Sequence, residues 1–423
     1  MTRRRATAGR RVRRPPGRHG LSAAPGGDQA GASCGRERGR VMTTDATATL
    51  IPGLEGIPIA ESSVSLVDGA GGRLTYRGYS IEDLTQGTTF EEVVALLYDG
   101  DLPAASRTEA VSAEMESARA LTEAQIEIAR LAGERAHPMF ALQAAVAALG
   151  PRQNDFEQSL GGIRERGVAL VAKAGHLVGV IAQAAAGRPY DGPRPGESHA
   201  SMVLRMITGG EPAAEHVAAM DTLLILQADH SAGNASTFTT RVVTSTRSEP
   251  EAVVSAAIGA LSGPAHGGAN ERSLRLFREI GDPGRAEAFV GRMLDERERI
   301  PGFGHRIYQV KDPRSIVIQR LAESLLVDPE HRKLYDIALE VERVATERLS
   351  ERGLWPNVDL FSGCVFNGIG VPVDFYTPLF AASRTLGWVV HMQEQWDSGN
   401  RLFRPRQIYV GEAVRDFVPV SER

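Results

Sequence analysis

The sequence predicts an all-α protein, and three observations carry that prediction. Apolar residues recur at helical spacing from Ser80 almost to the C-terminal end. Most of these stretches open on a Ser, Thr, Asp or Pro and close at Gly or Pro, so helices follow one another through short joints. Residues 62–79 alone break the pattern. There Val64, Leu66, Leu74 and Tyr76 alternate around Asp68-Gly-Ala-Gly-Gly72, which reads as a small N-terminal β-hairpin.

Composition narrows the class further. A length of 423 residues fits two or three domains, or one long helical domain with an insertion. With 42% apolar residues and a net charge of −4, a packed core forms and no polyanionic partner such as nucleic acid is implied. The two cysteines, Cys34 and Cys364, exclude a disulfide framework and a Cys-rich metal site, and they suit a reducing cytoplasm. No apolar run is expected to reach the ~20 residues that cross a bilayer, so no membrane partner is expected. Residues 1–41 hold eleven Arg against Asp28 and Glu37, with no apolar periodicity, and read as a disordered tail.

The helical elements follow in order. Ser80 with Asp83 and Thr89 with Glu92 pair as successive capping boxes; Gly100 and Pro103 close the second helix. Residues 122–133 and 138–149 continue as helices, the latter with Pro138 at its first position. Its Ala141, Ala144, Ala145, Ala147 and Ala148 admit a close neighbour, either a subunit interface or an internal crossing. Further helices are expected over 164–186, 199–208, 213–229, 250–262, 269–280, 286–300, 315–326 and 330–351, with another from about Pro378.

Chemistry concentrates at four joints. Pro301-Gly-Phe-Gly-His305 lets the backbone approach a ligand closely and presents a histidine, and Asp312-Pro-Arg314 reads as N-cap, N1 and N2 of the next helix. Arg314 thus sits on a rigid helix start, suited to gripping a carboxylate. Asp229-His230 ends an apolar helix, and Gly233-Asn234 breaks it; a lone histidine there is more often a cap than a ligand. His266, in Gly263-Pro-Ala-His-Gly-Gly-Ala-Asn, lies just before a helix N-terminus. The dipole disfavours imidazolium there, and a neutral ring is free to donate to an oxyanion. Asp359 stands beside Val358, Leu360 and Phe361, an apolar setting that strengthens a carboxylate as a base, although Asn357 or Asp359 also reads simply as an N-cap.

Together the motifs around His266, His305 to Arg314, and Pro-Asn-Val-Asp359 resemble the signature of citrate synthases. Tyr76-Arg-Gly-Tyr79, His137-Pro-Met139 and Ser383-Arg384 agree with it in order, and the likeness covers about residues 50–415. The related 2-methylcitrate synthases share all of it. The resemblance implies a two-domain helical homodimer, with residues 1–42 as the tail. The large domain would span 43–268 and 366–415, and the small domain 269–365.

It also implies Claisen condensation of acetyl-CoA with oxaloacetate and hydrolysis of citryl-CoA, without metal or redox cofactor; the rival substrate is propionyl-CoA. Asp359 would take the methyl proton, His266 stabilise the enolate oxygen, and His305 polarise and protonate the oxaloacetate carbonyl. His230, Asn234, Arg314, Arg384 and Arg404 would hold oxaloacetate, with Arg404 reaching in from the partner subunit. Three departures stand out: Gln227 replaces a common His, His230 and Asn234 are four apart, and Gln309 occupies a usual Lys or Arg position. Arg306 or Lys311 would then hold CoA phosphate. A metal hydrolase using His230, His266, His305 and Asp359 is disfavoured by their wide separation, and a helical binding protein would leave three motifs idle.

Overall fold

The computed structural model describes residues 49–151, 162–412 and 414–423. The tail assigned to residues 1–42 lies outside them. Residues 54–405 form one compact unit, and the described terminal residues 49–53, 406–412 and 414–423 fall in a second.

Sixteen α-helices make up the larger unit among the described residues: α1 (Ile81–Gly87), α2 (Phe90–Asp99), α3 (Ala105–Ala118), α4 (Glu123–Arg135), α5 (Pro138–Ala147), α6 (Ile163–Ala185), α7 (His199–Thr208), α8 (Ala214–Gln227), α9 (Ala235–Ser245), α10 (Pro250–Leu261), α11 (Ala269–Ile280), α12 (Ala286–Asp295), α13 (Pro313–Leu325), α14 (Pro329–Leu349), α15 (Asp359–Gly368) and α16 (Tyr376–Asp397). The all-α expectation holds. Thr89 and Glu92 close a reciprocal capping box, Pro138 and Pro250 sit at N1, and Asp312 caps α13.

The expected hairpin gains a strand. β1 (Ser65–Asp68), β2 (Arg73–Tyr76) and β3 (Tyr79–Ser80) form an antiparallel sheet in that order, with Ser65 opposite Tyr76 and Tyr76 opposite Tyr79. Two helices escape the sequence reading, α3 and α9, and α15 shows there only through an N-cap at Asn357 or Asp359. The apolar face of α3 amounts to Val111 and Met115. In α9 the buried face carries Ser236, Thr240 and Thr244, and the two threonine hydroxyls bond back to carbonyls four residues earlier. The helix expected to reach residue 300 stops at Asp295, and Arg297 turns left-handed at φ 61°.

Two sets of helices organise the interior. The long α6 packs against α16, α4 and α7, while α16 also meets α8, α9 and α10. Further on, α11 and α13 pack on α15, and α12 on α14. Contrary to the expectation of no such run, α6 is long and apolar enough to cross a membrane; 83% of its apolar window is buried in the fold, so it is accounted for as a core helix. Of the alanines of α5, Ala141 and Ala145 are buried where the helix meets α4, α6 and α10, while Ala144 and Ala147 face outward.

Candidate active site

The segment 301–312 is held by two partners. On one side it runs beside residues 355–358: the Gly304 N–H donates to the Trp355 carbonyl (2.9 Å), the Asn357 N–H to Gly302 (2.8 Å), and the Asp312 N–H to Pro356 (3.0 Å). Asn357 Nδ2 adds a bond to the Gly304 carbonyl at 2.9 Å. Gly302 is left-handed (φ 80°), and a Cβ there would lie 2.7 Å from Leu360 Cα, so the approach to α15 requires glycine. On the other side the Gln309 N–H donates to the Gly69 carbonyl in the β1–β2 turn (2.9 Å). This pairing puts His305, Arg314 and Asp359 on one frame.

Asp312 is the hinge of that frame. It is fully buried, caps α13 by accepting from the Arg314 N–H (3.0 Å), and accepts from Arg314 Nε (3.1 Å) and Nη2 (2.7 Å). The Val358 N–H reaches its second oxygen at 3.3 Å. The sequence showed Asp312 as a cap but not as the counter-charge that fixes Arg314.

A second frame forms where α8 ends against α16. Arg384, 1% exposed, donates from Nε to the Gln227 carbonyl (2.7 Å) and lies over the Phe380 ring. The Gly387 N–H leaves its own helix to bond the Ala228 carbonyl at 3.0 Å, and a Cβ at Gly387 would meet that oxygen at 2.5 Å. Burial draws the Arg384 guanidinium down to about 10, still charged at neutral pH. Beyond α8, Asn234 caps α9 by accepting from the Ser236 N–H (3.2 Å) and hydroxyl (2.9 Å).

His266 joins this frame through Ser236. Its Nε2 accepts from the Ser236 N–H (3.3 Å) and lies 3.0 Å from the hydroxyl, which also accepts from Trp388 Nε1 (3.1 Å). An accepting Nε2 places the proton of the neutral ring on Nδ1. Burial first, then Arg384, lowers this imidazole to about 4. The expected neutrality is therefore present, produced by burial and a cation.

The two frames meet in a ring cluster. His230 and His305 lie 4.9 Å apart edge to face, and Tyr308 lies 4.7 Å from His305 and 5.5 Å from His230. His305 Nδ1 accepts from the N–H groups of Ile307 (3.0 Å) and Tyr308 (3.1 Å), so its proton sits on Nε2. Burial, then Arg314, lowers His305 to about 4. His230 falls well below the ordinary range through burial, then Arg314, His305 and Arg384.

Four polar groups here are buried without a partner among the described residues: His230 Nε2, Gln227 Nε2, Arg384 Nη2 and the Tyr308 hydroxyl. Buried polar groups are normally satisfied, so a set of orphans beside two buried guanidiniums has the chemistry to receive an anionic, hydrogen-bonding ligand. Burial raises the carboxyl of Asp359, the first residue of α15, to about 6; Asp312 adds to it, and the two outweigh Arg314, Arg272 and Arg384. A base near neutrality, two neutral imidazoles aimed by opposite tautomers, and an anion receptor together suit proton abstraction next to a carbonyl.

Comparison with known proteins decides the lineage. The family described as citrate synthase, C-terminal domain, matches residues 53–406. The chain belongs to the citrate synthase family. The citrate synthase of Acidithiobacillus ferridurans is 40% identical, covering 88% of this chain and 98% of its own. The citrate synthase of Thermoplasma acidophilum, solved as a ternary complex with carboxymethyl coenzyme A and oxaloacetate, superposes with a TM-score of 0.83 at 34% identity, covering 88% of this chain and 98% of that one. The 2-methylcitrate synthase 1 of Corynebacterium glutamicum is 36% identical over 88% of this chain and 98% of its own. As a citrate synthase family member the chain is an acyltransferase that converts the acyl group to alkyl on transfer.

Within that family context, the predicted residues sort into three groups. His230, His305, Arg314 and Arg384 converge on the receptor, and Asn234, His266 and Asp359 are tied to it as described. Arg306 and Arg404 are exposed, with no hydrogen bond or ion pair among the described residues. Lys311 is turned inward, donating to Gln319 Oε1 (2.6 Å) and to Glu342, so its charge is matched within the chain, whereas among the described residues that of Arg306 is not. The His and carboxylate atoms close enough to share an ion, among the described residues, belong to His137, Glu271 and Asp374, none of them a predicted ligand. The sequence gives no role to Tyr308, shows Asp312 only as a cap, and shows Gln227 only as a departure. A buried glutamine at a helix end and a tyrosine three residues past a histidine carry no signal without the fold.

Proposed function

We propose that this chain condenses acetyl-CoA with oxaloacetate and hydrolyses the resulting citryl-CoA to citrate and CoA. The observation that carries this reading is the set of unpartnered buried donors around Arg314 and Arg384, with a carboxylate raised to about 6 beside it. Oxaloacetate is a small dicarboxylate with a keto oxygen, and it matches that set in charge and in number of acceptors. The Asp359 carboxylate removes a methyl proton from the thioester, and the Nδ1–H of His266 donates to the enolate oxygen. The carbon then attacks the keto carbon, whose oxygen receives the Nε2–H of His305. Water cleaves the citryl thioester, and the free thiol leaves. The donor is a substrate, and the scheme uses no cofactor.

Assembly and compartment belong to the same proposal. The chain works as a cytoplasmic homodimer, with α11–α15 as the core of a small domain (269–365) that closes on the large one (43–268 and 366–415). Arg404, exposed on the segment after α16 and without a partner among the described residues, completes the partner's oxaloacetate site. Arg306 takes a CoA phosphate. The 2-methylcitrate synthase relative supports the competing donor, propionyl-CoA, and one methylene is worth ~1–3 kcal/mol of discrimination. Initial rates of oxaloacetate-dependent thiol release, with each donor and excess chelator, test the choice. Acetyl-CoA should have the higher kcat/KM by roughly tenfold or more. A preference for propionyl-CoA would reassign the chain, and loss of turnover to chelator would restore the metal reading.

A further inference from the structure

Behind His230 lies a buried polar chain that the reaction scheme does not use. Asp229 and His391 are both fully buried, and His391 Nε2 sits 3.2 and 3.3 Å from the two Asp229 oxygens. On its far side, His391 Nδ1 lies 2.9 Å from Arg241 Nη2 and 3.5 Å from Glu394, and its Nε2–H faces Asp229. Arg241 also pairs with Glu394, and Glu394 Oε1 accepts the Ser63 N–H at 2.8 Å. Burial pushes the Asp229 carboxyl up, but His391, Arg384 and Ser65 outweigh it and hold it well below the usual carboxylate range. Asp229, just past the end of α8, is therefore an aspartate fixed from β1 and α16.

What this aspartate controls is the turn that presents His230. Ser231 is left-handed (φ 69°), an uncommon conformation for a residue with a side chain. Its N–H is caught by Asp229 Oδ2 (3.3 Å) and by Ser65 Oγ (3.2 Å), while Ser65 Oγ donates to Asp229 at 2.5 Å. The Tyr76 hydroxyl bridges the Asp229 N–H and carbonyl, both at 3.1 Å. His230 is enclosed within this loop of bonds, its Nε2 left as an unpartnered buried donor or acceptor.

We propose that Asp229 and His391 are positioning residues that act through His230, holding its ring in the orientation that receives oxaloacetate. The proposal rests on the oxaloacetate part of the reading above. It differs from a general packing role in one respect: its effect must pass through His230 alone.

A double-mutant cycle reads this directly. Oxaloacetate Kd is measured by calorimetry for the wild-type chain, His391→Asn, His230→Ala and the pair, with circular dichroism to confirm folding. His391→Asn should weaken oxaloacetate binding about tenfold and leave the KM for acetyl-CoA within twofold. On the His230→Ala background the same change should alter Kd by less than twofold. Ser65→Ala, a milder cut in the same chain, should cost about threefold and likewise vanish without His230; it carries the cycle if His391→Asn does not fold. Effects that multiply in the double variants, or that raise both substrates' constants together, would overturn the proposal. A wild-type chain that binds no oxaloacetate would overturn it along with the reading beneath it. Binding without thiol release would overturn only the reaction.

Discussion

The side-chain amide of Asn357 donates to the carbonyl of Gly304 at 2.9 Å, tying the residue before His305 to the segment that delivers Asp359. The proposed acid and base therefore move as one piece, although 54 positions separate them in the chain. Asn357→Ala removes that tie and the acceptor that caps Asp359's own N–H (2.9 Å). A neutral hydrogen bond contributes ~0.5–1.5 kcal/mol, so the melting temperature should fall by only a few degrees. Misplaced reacting groups cost far more, and kcat should drop by roughly ten- to a hundredfold. Steady-state rates beside a thermal melt separate the two effects.

The pH dependence follows from the three lowered or raised groups. Asp359 acts as a base only when ionised, so kcat/KM for the acyl donor should fall about tenfold per pH unit below about 6. His266 and His305, both lowered to about 4, remain neutral through that range and do not produce the limb. The stability sign is opposite to that of a salt-bridged aspartate. Asp359 is raised from 3.8 to about 6, so the folded state bears the cost of its charge above pH 6 and is relieved of it below 3.8. Asp359→Asn should therefore melt above the wild-type at pH 7, and the difference should disappear near pH 4. A flat activity profile down to pH 5 would remove Asp359 as the titrating base.

Lys311 and Arg306 should separate cleanly. Lys311→Ala leaves Glu342 with the Gln319 amide but no cation at a largely buried site, so thermal stability should fall while the KM for acetyl-CoA stays within twofold. Arg306→Ala removes an exposed cation, so stability should hold and the KM for acetyl-CoA should rise about threefold or more. Both quantities come from one set of purified variants.

Arg404→Ala deletes one charge-assisted contact to oxaloacetate, worth ~1.5–3 kcal/mol, so binding should weaken roughly ten- to a hundredfold without loss of the dimer. Mixing Arg404→Ala with Asp359→Ala chains tests where that contact is made. A mixed dimer with crossed sites has one site carrying both defects and one carrying neither, and activity should reappear. Mixed dimers without activity would return Arg404 to its own chain's site.

The sequence carried the helical frame well because capping and punctuation were strong. Asp312, Pro313 and Arg314 stand as cap, N1 and N2, and Gly302 and Gly304 mark a close backbone approach. What it concealed has a common cause, since polar residues packed inward look like surface. The hydroxyl face of α9 gave no apolar period to read, yet it supplies Ser236 to His266. Asp312 read as a local cap because nothing in one dimension shows that Arg314 folds back onto it. His391 sits in an apolar run that gives no hint of the aspartate 162 residues earlier. Such pairings follow only from the crossing of α16 over the end of α8.

The account's central claim is that Asp359 takes a proton from an acyl thioester while oxaloacetate occupies the Arg314–Arg384 receptor. Oxaloacetate-dependent thiol release from acetyl-CoA, compared between wild-type and Asp359→Asn, tests it most directly. The wild-type chain should turn over. The isosteric variant should still bind oxaloacetate with unchanged affinity, yet release thiol at least about a hundredfold more slowly, the scale of a lost general base. Thiol release by Asp359→Asn at more than a tenth of the wild-type rate would contradict the account.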